Sequence, residues 1–345
     1  MDAPVVAEFL GQLLRASWQA SVLALVVWLV IRALGDHLDA RWRCRLWMLV
    51  IVRLAWPVSL PSPVSLFNVV TVSPVGTEGS YERSLAQLKV LEAPWVQWIW
   101  SAVAVVLIAR MLAAVVWATW IRWTARPLDS WETWWILHTC KTDTRMDTPV
   151  AILESSRVKG PCVLGFLHPR LVLPKGIVRE LSSAELRLVF LHELAHLSRR
   201  DLALNWVLAA VEIIHWFNPL VWFVTRQLRA DREEDCDARA LASQPGAGRA
   251  YGEVILKLLE RVPTEVRPLG SAIGVQILGA GEEDIGPLLH RLHAIQRFRP
   301  GARTWLVGFG TWLAVALIGL TDAEPRPLVE LSGNSVARVT LERLA

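Results

Sequence analysis

The feature that most constrains this chain is an apolar run over residues 94–121, in which Arg110 is the only charged side chain. A helix of about 20 apolar residues crosses the hydrocarbon core of a bilayer, and this run is longer. Indole rings prefer the boundary between lipid and water, so a run with tryptophans at both ends predicts a membrane-spanning helix. The flanking tryptophans are Trp95, Trp98 and Trp100 at one end, and Trp117, Trp120 and Trp123 at the other.

Three further apolar runs predict a membrane protein with several crossings. They cover residues 5–34, 46–60 and 303–321, and the second is the weakest because Arg53 and Pro57 interrupt it. The composition agrees, with 53% hydrophobic residues, only 20% charged residues and a mean hydropathy of +0.37. These values exclude an intrinsically disordered chain and an ordinary soluble globule.

The distribution of arginine predicts the orientation in the membrane. The 35–45 segment carries three arginines, and Arg122 and Arg126 follow the third apolar run, whereas residues 61–93 hold few basic side chains. Short segments rich in Lys and Arg stay in the cytoplasm. We therefore expect an inner-membrane protein whose central domain, residues 124–302, is cytoplasmic, with the amino terminus and the 61–93 loop outside.

These runs divide the chain into four parts. We expect a mainly α-helical protein with about four transmembrane helices and a cytoplasmic α+β domain inserted between the third and the fourth. The parts are a membrane domain (1–123, with spans at about 5–34, 46–60 and 94–121), the cytoplasmic domain (124–302), the fourth helix (303–321) and a short extracytoplasmic tail (322–345).

One apolar stretch inside the cytoplasmic domain is ambiguous. Residues 202–225 resemble a span, but Glu212, His215 and Pro219 interrupt them. A full crossing would place the residues on either side of the stretch on opposite faces of the membrane. We expect a helix that packs on the cytoplasmic leaflet or inserts only in part.

Charge and cysteine usage exclude two classes of function. The net charge is +4, and the arginines flank apolar stretches and do not form one basic face, so we expect no direct nucleic-acid binding. The four cysteines are far apart and form no Cys-x-x-Cys pair, which argues against a zinc knuckle or a disulfide framework. The first residues also lack the pattern of a cleavable signal peptide.

The strongest chemical motif is His-Glu-Leu-Ala-His at residues 192–196. On a helix, residues four apart share a face, so His192 and His196 can bind one metal ion, and Glu193 can act as a general base beside it. A helix is predicted here because Ser182 or Ser183 can serve as its N-cap, with a glutamate in the first turn.

A catalytic zinc ion needs a third protein ligand. The acidic segment 229–242 is the best source: Glu233 and Asp237 are four residues apart, so one can bind the metal and the other can orient a ligating histidine. Glu234 is a competing ligand, and Glu212 and His215 are weaker ones. Spacing alone leaves these alternatives open. The acidic segment can also be a solvent-exposed helix face without any metal-binding role.

The chain resembles the BlaR/MecR-type antirepressor metallopeptidases, a family of membrane gluzincins. The resemblance covers roughly residues 1–320. It is carried by four stretches: ARWRCRLWMLVIVRLAWPVSLPSPVSL at 40–66, SSRVKGPCVLGFLHPRLVLP at 155–174, HELAHLSRRD at 192–201 and WFNPLVWFVTRQLRADREEDCDARAL at 216–241.

The resemblance implies a gluzincin fold for the cytoplasmic domain and zinc as the cofactor. It implies that His192, His196 and Glu233 bind the ion, that Glu193 is the catalytic base, and that Asp237 orients a ligating histidine. It further implies that the substrate is a cytoplasmic transcriptional repressor, a small winged-helix dimer, and that the protein can also cleave itself.

The sequence departs from the β-lactam sensors of that family. Those proteins carry a penicillin-binding domain after the last span, and here about 25 residues follow Leu320. Ser156 and Lys159 match a Ser-x-x-Lys motif, but they fall in the predicted cytoplasmic domain and lack the partner motifs of an acylation site. We therefore expect no direct binding of β-lactams.

Two other interpretations remain at the level of sequence. One is a membrane quality-control zinc protease of the HtpX/Ste24 type, and the other is a signal-transducing scaffold with a structural zinc site. The residues CVLGFLHPRLVLP at 162–174 predict a hairpin or two short strands before the metal helix, and this hairpin and the WFNPL match at 216–220 favour the antirepressor family. In zincins an edge strand beside the site binds substrate in extended form.

Overall fold

The computed structural model describes residues 3–56, 61–70, 93–165, 168–260, 285–298 and 305–322. The predicted 61–93 loop, a Gly-rich segment at 267–289 and the tail lie largely outside the described residues. The described helices are α1 (Ala3–Leu34), α2 (Ala40–Ala55), α3 (Phe67–Val70), α4 (Pro94–Thr124), α5 (Trp131–Asp143), α6 (Ile177–Glu180), α7 (Ser183–Ser198), α8 (Asp201–Ile214), α9 (Pro219–Ser243), α10 (Gly248–Glu260), α11 (Ile285–Arg297) and α12 (Trp305–Gly319).

Two of the helices in the described part of the chain are long and apolar enough to cross a membrane, judged by length and composition. They cover Phe9–Leu34 and Pro94–Thr124, and the shorter apolar helix Trp305–Gly319 follows near the end of the described chain. Their bounds agree closely with the apolar runs read from the sequence.

The second apolar run differs from its prediction. The sequence predicts a span over residues 46–60, but α2 begins at Ala40, inside the segment expected to be a loop, and ends at Ala55. The helix begins earlier than predicted because Arg43, in its first turn, forms ion pairs with two carboxylates of α9. These partners are distant in the chain, so the local sequence does not reveal them. It ends before Pro57, since the residue that precedes a proline disfavours helical geometry.

A bundle of helices forms one of the two large cores. Its centre is α2, whose Leu46, Trp47 and Val50 are buried against α1, α8, the first half of α9 and α12. The approach of α12 is close: a Cβ on Gly308 would lie 2.2 Å from the Trp42 ring, so only glycine fits there. Because α8 and the first half of α9 pack against α2, the ambiguous residues 202–225 belong to this bundle.

Those residues do not form one continuous helix. Helix α8 ends at Ile214, and Asn218 caps the start of α9 by accepting a hydrogen bond from the Leu220 N–H at 2.9 Å. The Asn218 amide also donates to the hydroxyls of Ser17 and Ser21 on α1, at 2.7 and 2.9 Å. The interruption is thus tied to the bundle by specific polar contacts.

A small sheet and the remaining helices form the second core. The strands are β1 (Arg126–Pro127), β2 (Ala151–Ser155), β3 (Cys162–Leu164) and β4 (Arg170–Pro174), in the order β1-β2-β4-β3. Strands β2 and β4 are parallel, whereas β3 pairs with β4 in an antiparallel hairpin, as the sequence predicts. Helices α5, α7 and α10 pack on this sheet through a shared apolar cluster.

The two helices that carry the metal motif are well defined by their sequences. Ser182 begins α7 with a capping box: its hydroxyl accepts from the Glu185 N–H at 3.3 Å, and the Glu185 carboxylate accepts from the Ser182 N–H at 2.8 Å. This confirms the predicted helix start. Helix α9 enters both cores, with Val224 and Leu228 in the bundle and Ala240 and Leu241 beside the sheet.

Candidate metal centre

The two motif histidines and one glutamate converge between α7 and α9. His192 and His196 lie one turn apart on α7, with 3.1 Å between their Nε2 atoms. Each Nε2 is 3.5 Å from an oxygen of Glu233, which projects from α9. Three potential ligand atoms from distant parts of the chain therefore meet at one point.

The chemistry and spacing of these atoms fit zinc. Two imidazole nitrogens and one carboxylate oxygen form a donor set of catalytic zinc sites, which keep a fourth position open. Zinc–nitrogen bonds of about 2.0–2.1 Å at tetrahedral angles place two ligand atoms about 3.3 Å apart. The two imidazole nitrogens are 3.1 Å apart, and each is 3.5 Å from one oxygen of Glu233, Oε2 for His192 and Oε1 for His196, which agrees with that value.

Each histidine is oriented by a carboxylate on its other ring nitrogen. His192 Nδ1 lies 3.0 Å from Asp237, and His196 Nδ1 lies 2.8 Å from Asp201. When Nδ1–H donates to a carboxylate, the lone pair of Nε2 is left for a metal ion, which is the tautomer a metal site requires. Both rings thus present the same ligand atom to the centre.

Asp237 is itself held by two side chains that the sequence interpretation misses. Arg291 on α11 donates to both of its oxygens at 2.9 Å, and the Tyr251 hydroxyl donates to it at 2.7 Å. Burial opposes ionisation of Asp237, but Arg291 and His192 outweigh burial and lower its pKa. The carboxylate therefore stays ionised and keeps accepting from His192.

No local pattern points to Arg291 or Tyr251, which lie 54 and 14 residues from Asp237 along the chain. Asp201 ends the HELAHLSRRD stretch, but no spacing rule pairs it with His196. The structure places it against Arg232 at 3.2 Å and Arg199 at 3.4 Å as well as against His196.

Electrostatics around the centre favour an anionic Glu233. Burial opposes its ionisation, yet His196, His192 and Arg291 together hold the pKa of Glu233 well below its ordinary value. Arg291 Nη1 lies 3.5 Å from this carboxylate. An ionised carboxylate is the form in which glutamate binds a cation.

Glu193 lies in the next position on α7 and is buried. Burial raises the pKa of its carboxyl group, although His196 and His192 act in the other direction. The negative charge of Glu193 also raises the pKa of the Cys162 thiol on β3, after the larger effect of burial. The edge strand β3 also contacts α7, the helix that carries Glu193.

The competing ligands face elsewhere. Glu234 contacts Arg43 of α2 at 2.6 Å, and Glu212 is buried against Arg229 at 2.7 Å. His215 is buried at the end of α8. The structure thus groups Glu233, and neither Glu234 nor Glu212, with the histidine pair. A second group of possible ligands, His196, Asp201 and Cys236, shares one histidine with the first.

Comparison with protein families decides where this chain belongs. The family model described as BlaR1 peptidase M56 matches residues 11–275, which is more than half of the chain. The chain belongs to the BlaR1 peptidase M56 family. The match includes α7, α9 and every residue of the histidine and glutamate group, so a member of a peptidase family carries this centre.

Two regulatory proteins are similar over part of their length. The regulatory protein BlaR1 of Bacillus licheniformis is 37% identical over 123 residues, which are 35% of this chain and 20% of that protein. The methicillin resistance mecR1 protein of Staphylococcus aureus is 32% identical over 109 residues, 31% of this chain and 19% of that protein. The match thus spans about a fifth of the length of each relative.

Proposed function

We propose that this protein is a membrane-embedded zinc metalloendopeptidase of a signalling system, which hydrolyses a peptide bond in a cytoplasmic transcriptional repressor. The observation that carries the proposal is the convergence of His192, His196 and Glu233 at 3.1–3.5 Å, with Glu193 next to the first histidine. Membership of a peptidase family supports hydrolysis of a peptide bond as the reaction.

In the proposed mechanism His192, His196 and Glu233 hold the ion, and Asp237 and Asp201 fix the two imidazoles. The chemistry that a bound zinc ion supplies is the acidification of a water molecule and the polarisation of the scissile carbonyl. Glu193 accepts the proton of the attacking water and passes it to the leaving amine. Arg291 holds Asp237 and Glu233 in place throughout.

The sheet offers a place for the substrate backbone. Strand β3 is at the end of the strand order β1-β2-β4-β3 and runs beside α7. An extended peptide can pair with such an edge by β-augmentation, which places its backbone along the strand.

The proposed topology has four spans, with the peptidase domain cytoplasmic between the third and the fourth. The two long apolar helices and the shorter apolar helix α12 support three of these spans. The bundle core around α2 supports its position among them. The arginine-rich segment before α2 supports a cytoplasmic placement of its amino-terminal end.

The repressor as substrate rests on the relatives. One is named a regulatory protein and the other a methicillin resistance protein, which supports a regulatory role for this chain. A small winged-helix repressor is the proposed partner besides the lipid bilayer. We expect neither direct nucleic-acid binding nor direct β-lactam binding.

The test compares wild type with Glu193→Gln in native membranes. Glutamine preserves the size of the side chain but cannot accept a proton, so zinc content stays equal while fragments of a repressor vanish from the cytoplasmic proteome. Glu253→Gln is the matched control, because Glu253 is exposed on α10 and pairs with Arg249.

Two outcomes would replace the proposal. Wild-type-specific fragments from many unrelated membrane proteins would indicate a quality-control protease. Equal zinc in both proteins, with no fragments from either under any inducing condition, would indicate a scaffold with a structural metal site.

A further inference from the structure

Helix α5 is apolar on two opposite faces. Thr133, Leu137 and Cys140 are buried, and the last two belong to the core that α7 and the sheet share. The other face carries Trp131, Trp134 and Trp135, three of the thirteen residues of the helix. A helix on the surface of a soluble domain would carry polar side chains on that face.

The outer tryptophans form one continuous patch, which we call the indole patch: Trp131, Trp134, Trp135 and His138. The three indoles are 73%, 45% and 54% exposed. The ring centroid of Trp131 lies 5.0 Å from that of Trp134 and 6.0 Å from that of Trp135. Trp134 and Trp135 both stack on the ring of His138. Contiguous exposed apolar surface of this kind marks an interaction site.

The indole patch follows the aromatic end of α4 along the chain. Trp120 and Trp123 are exposed at that end, the latter by 82%, and α4 ends at Thr124. Six residues separate Thr124 from Trp131, so the Cα atoms of these two residues are at most about 25 Å apart. The patch therefore begins within about 25 Å of the residue at which α4 would leave a membrane.

Arginines surround the same region. Arg157, from the turn after β2, places its guanidinium 3.9 Å from the centroid of the Trp120 ring and donates to the Thr124 hydroxyl at 3.2 Å. Arg122 and Arg126 lie at the end of α4 and on β1. Indoles together with guanidinium groups are the side chains that favour the headgroup layer of a bilayer with anionic lipids.

We propose that α5 lies in the cytoplasmic headgroup layer and docks the peptidase domain on the membrane through the indole patch. This inference rests on the proposed placement of α4 across the membrane. The domain is then held at the bilayer by its own surface as well as by the helices that flank it. Glu132 does not oppose docking, because its carboxylate accepts a hydrogen bond from Ser183 at 2.7 Å.

A bilayer fits this surface better than a second copy of the chain. Self-association through the indole patch would bring the arginines around Trp120 of two copies toward each other, and like charges at close range cost free energy. Anionic headgroups instead meet these arginines with opposite charge, while the indoles reach the boundary of the acyl chains. Charge complementarity therefore selects the membrane.

The test places single spin labels on the full-length protein in nanodiscs of phosphatidylcholine and phosphatidylglycerol. The four native cysteines are buried, so one added cysteine defines each site, with the unsubstituted protein as the labelling blank. His138→Cys labels the centre of the indole patch and leaves all three tryptophans in place. Val106→Cys on α4 is the reference within a proposed span, and Glu253→Cys on α10 is the aqueous reference.

Accessibility to oxygen and to a water-soluble nickel chelate reports the depth of each label. We expect the ratio of oxygen accessibility to nickel-chelate accessibility at position 138 to be several-fold higher than at position 253. The same ratio should be lower at position 138 than at position 106. Replacing Trp131, Trp134 and Trp135 together by serine should return the label at 138 to the aqueous value. Because these side chains are exposed, the triple variant should fold.

Each contrary result has a distinct meaning. If the label at 138 matches the aqueous label while the label at 106 is buried in lipid, the docking inference is wrong and the membrane placement stands. If the label at 106 is aqueous too, both are wrong. If the label at 138 is shielded from both reagents, and becomes exposed when each nanodisc holds one copy, a second copy covers the patch and the inference is overturned.

Discussion

At the scale of single residues, the centre depends on how its histidines are held. Asp237 receives hydrogen bonds from His192, Tyr251 and Arg291, and Asp201 receives one from His196. Since Nδ1–H is donated in each case, both imidazoles have the tautomer that offers Nε2 to a metal. The orienting carboxylates are therefore as much a part of the site as the ligands.

Asp237→Asn should lower zinc affinity about 10–100-fold, which is the usual cost of losing such an orienting partner. An asparagine amide can donate to Nδ1 and so stabilise the tautomer with a proton on Nε2. Equilibrium dialysis against buffered zinc measures the change. Asp143→Asn is the control, because Asp143 is partly exposed and pairs with Arg187. Unchanged affinity in Asp237→Asn would contradict the proposed role.

The choice between neighbouring glutamates gives a second prediction. Glu233→Gln should lose stoichiometric zinc, because a neutral amide replaces the anionic ligand. Glu234→Gln should keep it, since Glu234 contacts Arg43 and not the histidines. Metal analysis of the two purified variants checks this, and zinc loss confined to Glu234→Gln would reverse the assignment.

Sequence patterns predict the residues on α7 and α9 that converge here but not the ones that support them. Residues four apart on a helix share a face, so His192 and His196 form a recognisable motif. Family resemblance, rather than spacing, favours Glu233 over Glu234. Arg291 and Tyr251 reach the site only through tertiary packing of α10 and α11, which no short-range pattern encodes.

At the scale of elements, α2 and α9 are joined beside the metal centre. The Arg43 guanidinium donates to Asp231 and to Glu234, each at 2.6 Å, and these two carboxylates flank Glu233 on α9. Trp47 also donates to Asp231 at 3.1 Å. A helix of the bundle thus fixes the stretch of α9 that carries Glu233, the proposed third ligand.

Arg43→Gln should destabilise the protein by about 3 kcal/mol or more, because it leaves two largely buried carboxylates without their cation. Arg43→Lys keeps the charge but reaches fewer acceptors, so it should cost less. Arg41→Gln, at an exposed position on the same helix, is the control. Thermal unfolding in detergent measures the order of stability of the three variants. Equal midpoints for Arg43→Gln and Arg41→Gln would contradict the predicted role of Arg43.

At the scale of the whole molecule, α9 belongs to two cores and carries the proposed ligand between them. Its first half packs with α2 in the bundle, and its last residues pack with α7 and α10 beside the sheet. A metal ion that joins Glu233 to α7 would therefore tie the peptidase core to the bundle.

Removal of zinc should lower the stability of the entire protein. A ligand that binds only the folded state at a free concentration of 100 times its Kd stabilises that state by about 2.7 kcal/mol. A chelator should therefore lower the unfolding midpoint of wild type and leave Glu233→Gln unchanged. Calorimetry or intrinsic fluorescence checks this, and equal shifts in both proteins would show that the chelator acts elsewhere.

The sequence predicts the apolar helices well because their length and composition are local properties. The bounds of α1, α4 and α12 lie within a few residues of the apolar runs. The sequence does not predict the start of α2, because the partners of Arg43 lie 188 and 191 residues away. The role of residues 202–225 was equally hidden, since the contacts of Asn218 with α1 are long-range.

The most direct test of the account is zinc X-ray absorption spectroscopy on the purified protein in nanodiscs. The structure offers two overlapping groups of ligands, and only the group of His196, Asp201 and Cys236 contains sulfur. We predict nitrogen and oxygen neighbours at about 2.0–2.1 Å with two imidazole signatures. A sulfur neighbour at about 2.3 Å would instead place the ion at Cys236 and contradict the centre formed by His192, His196 and Glu233.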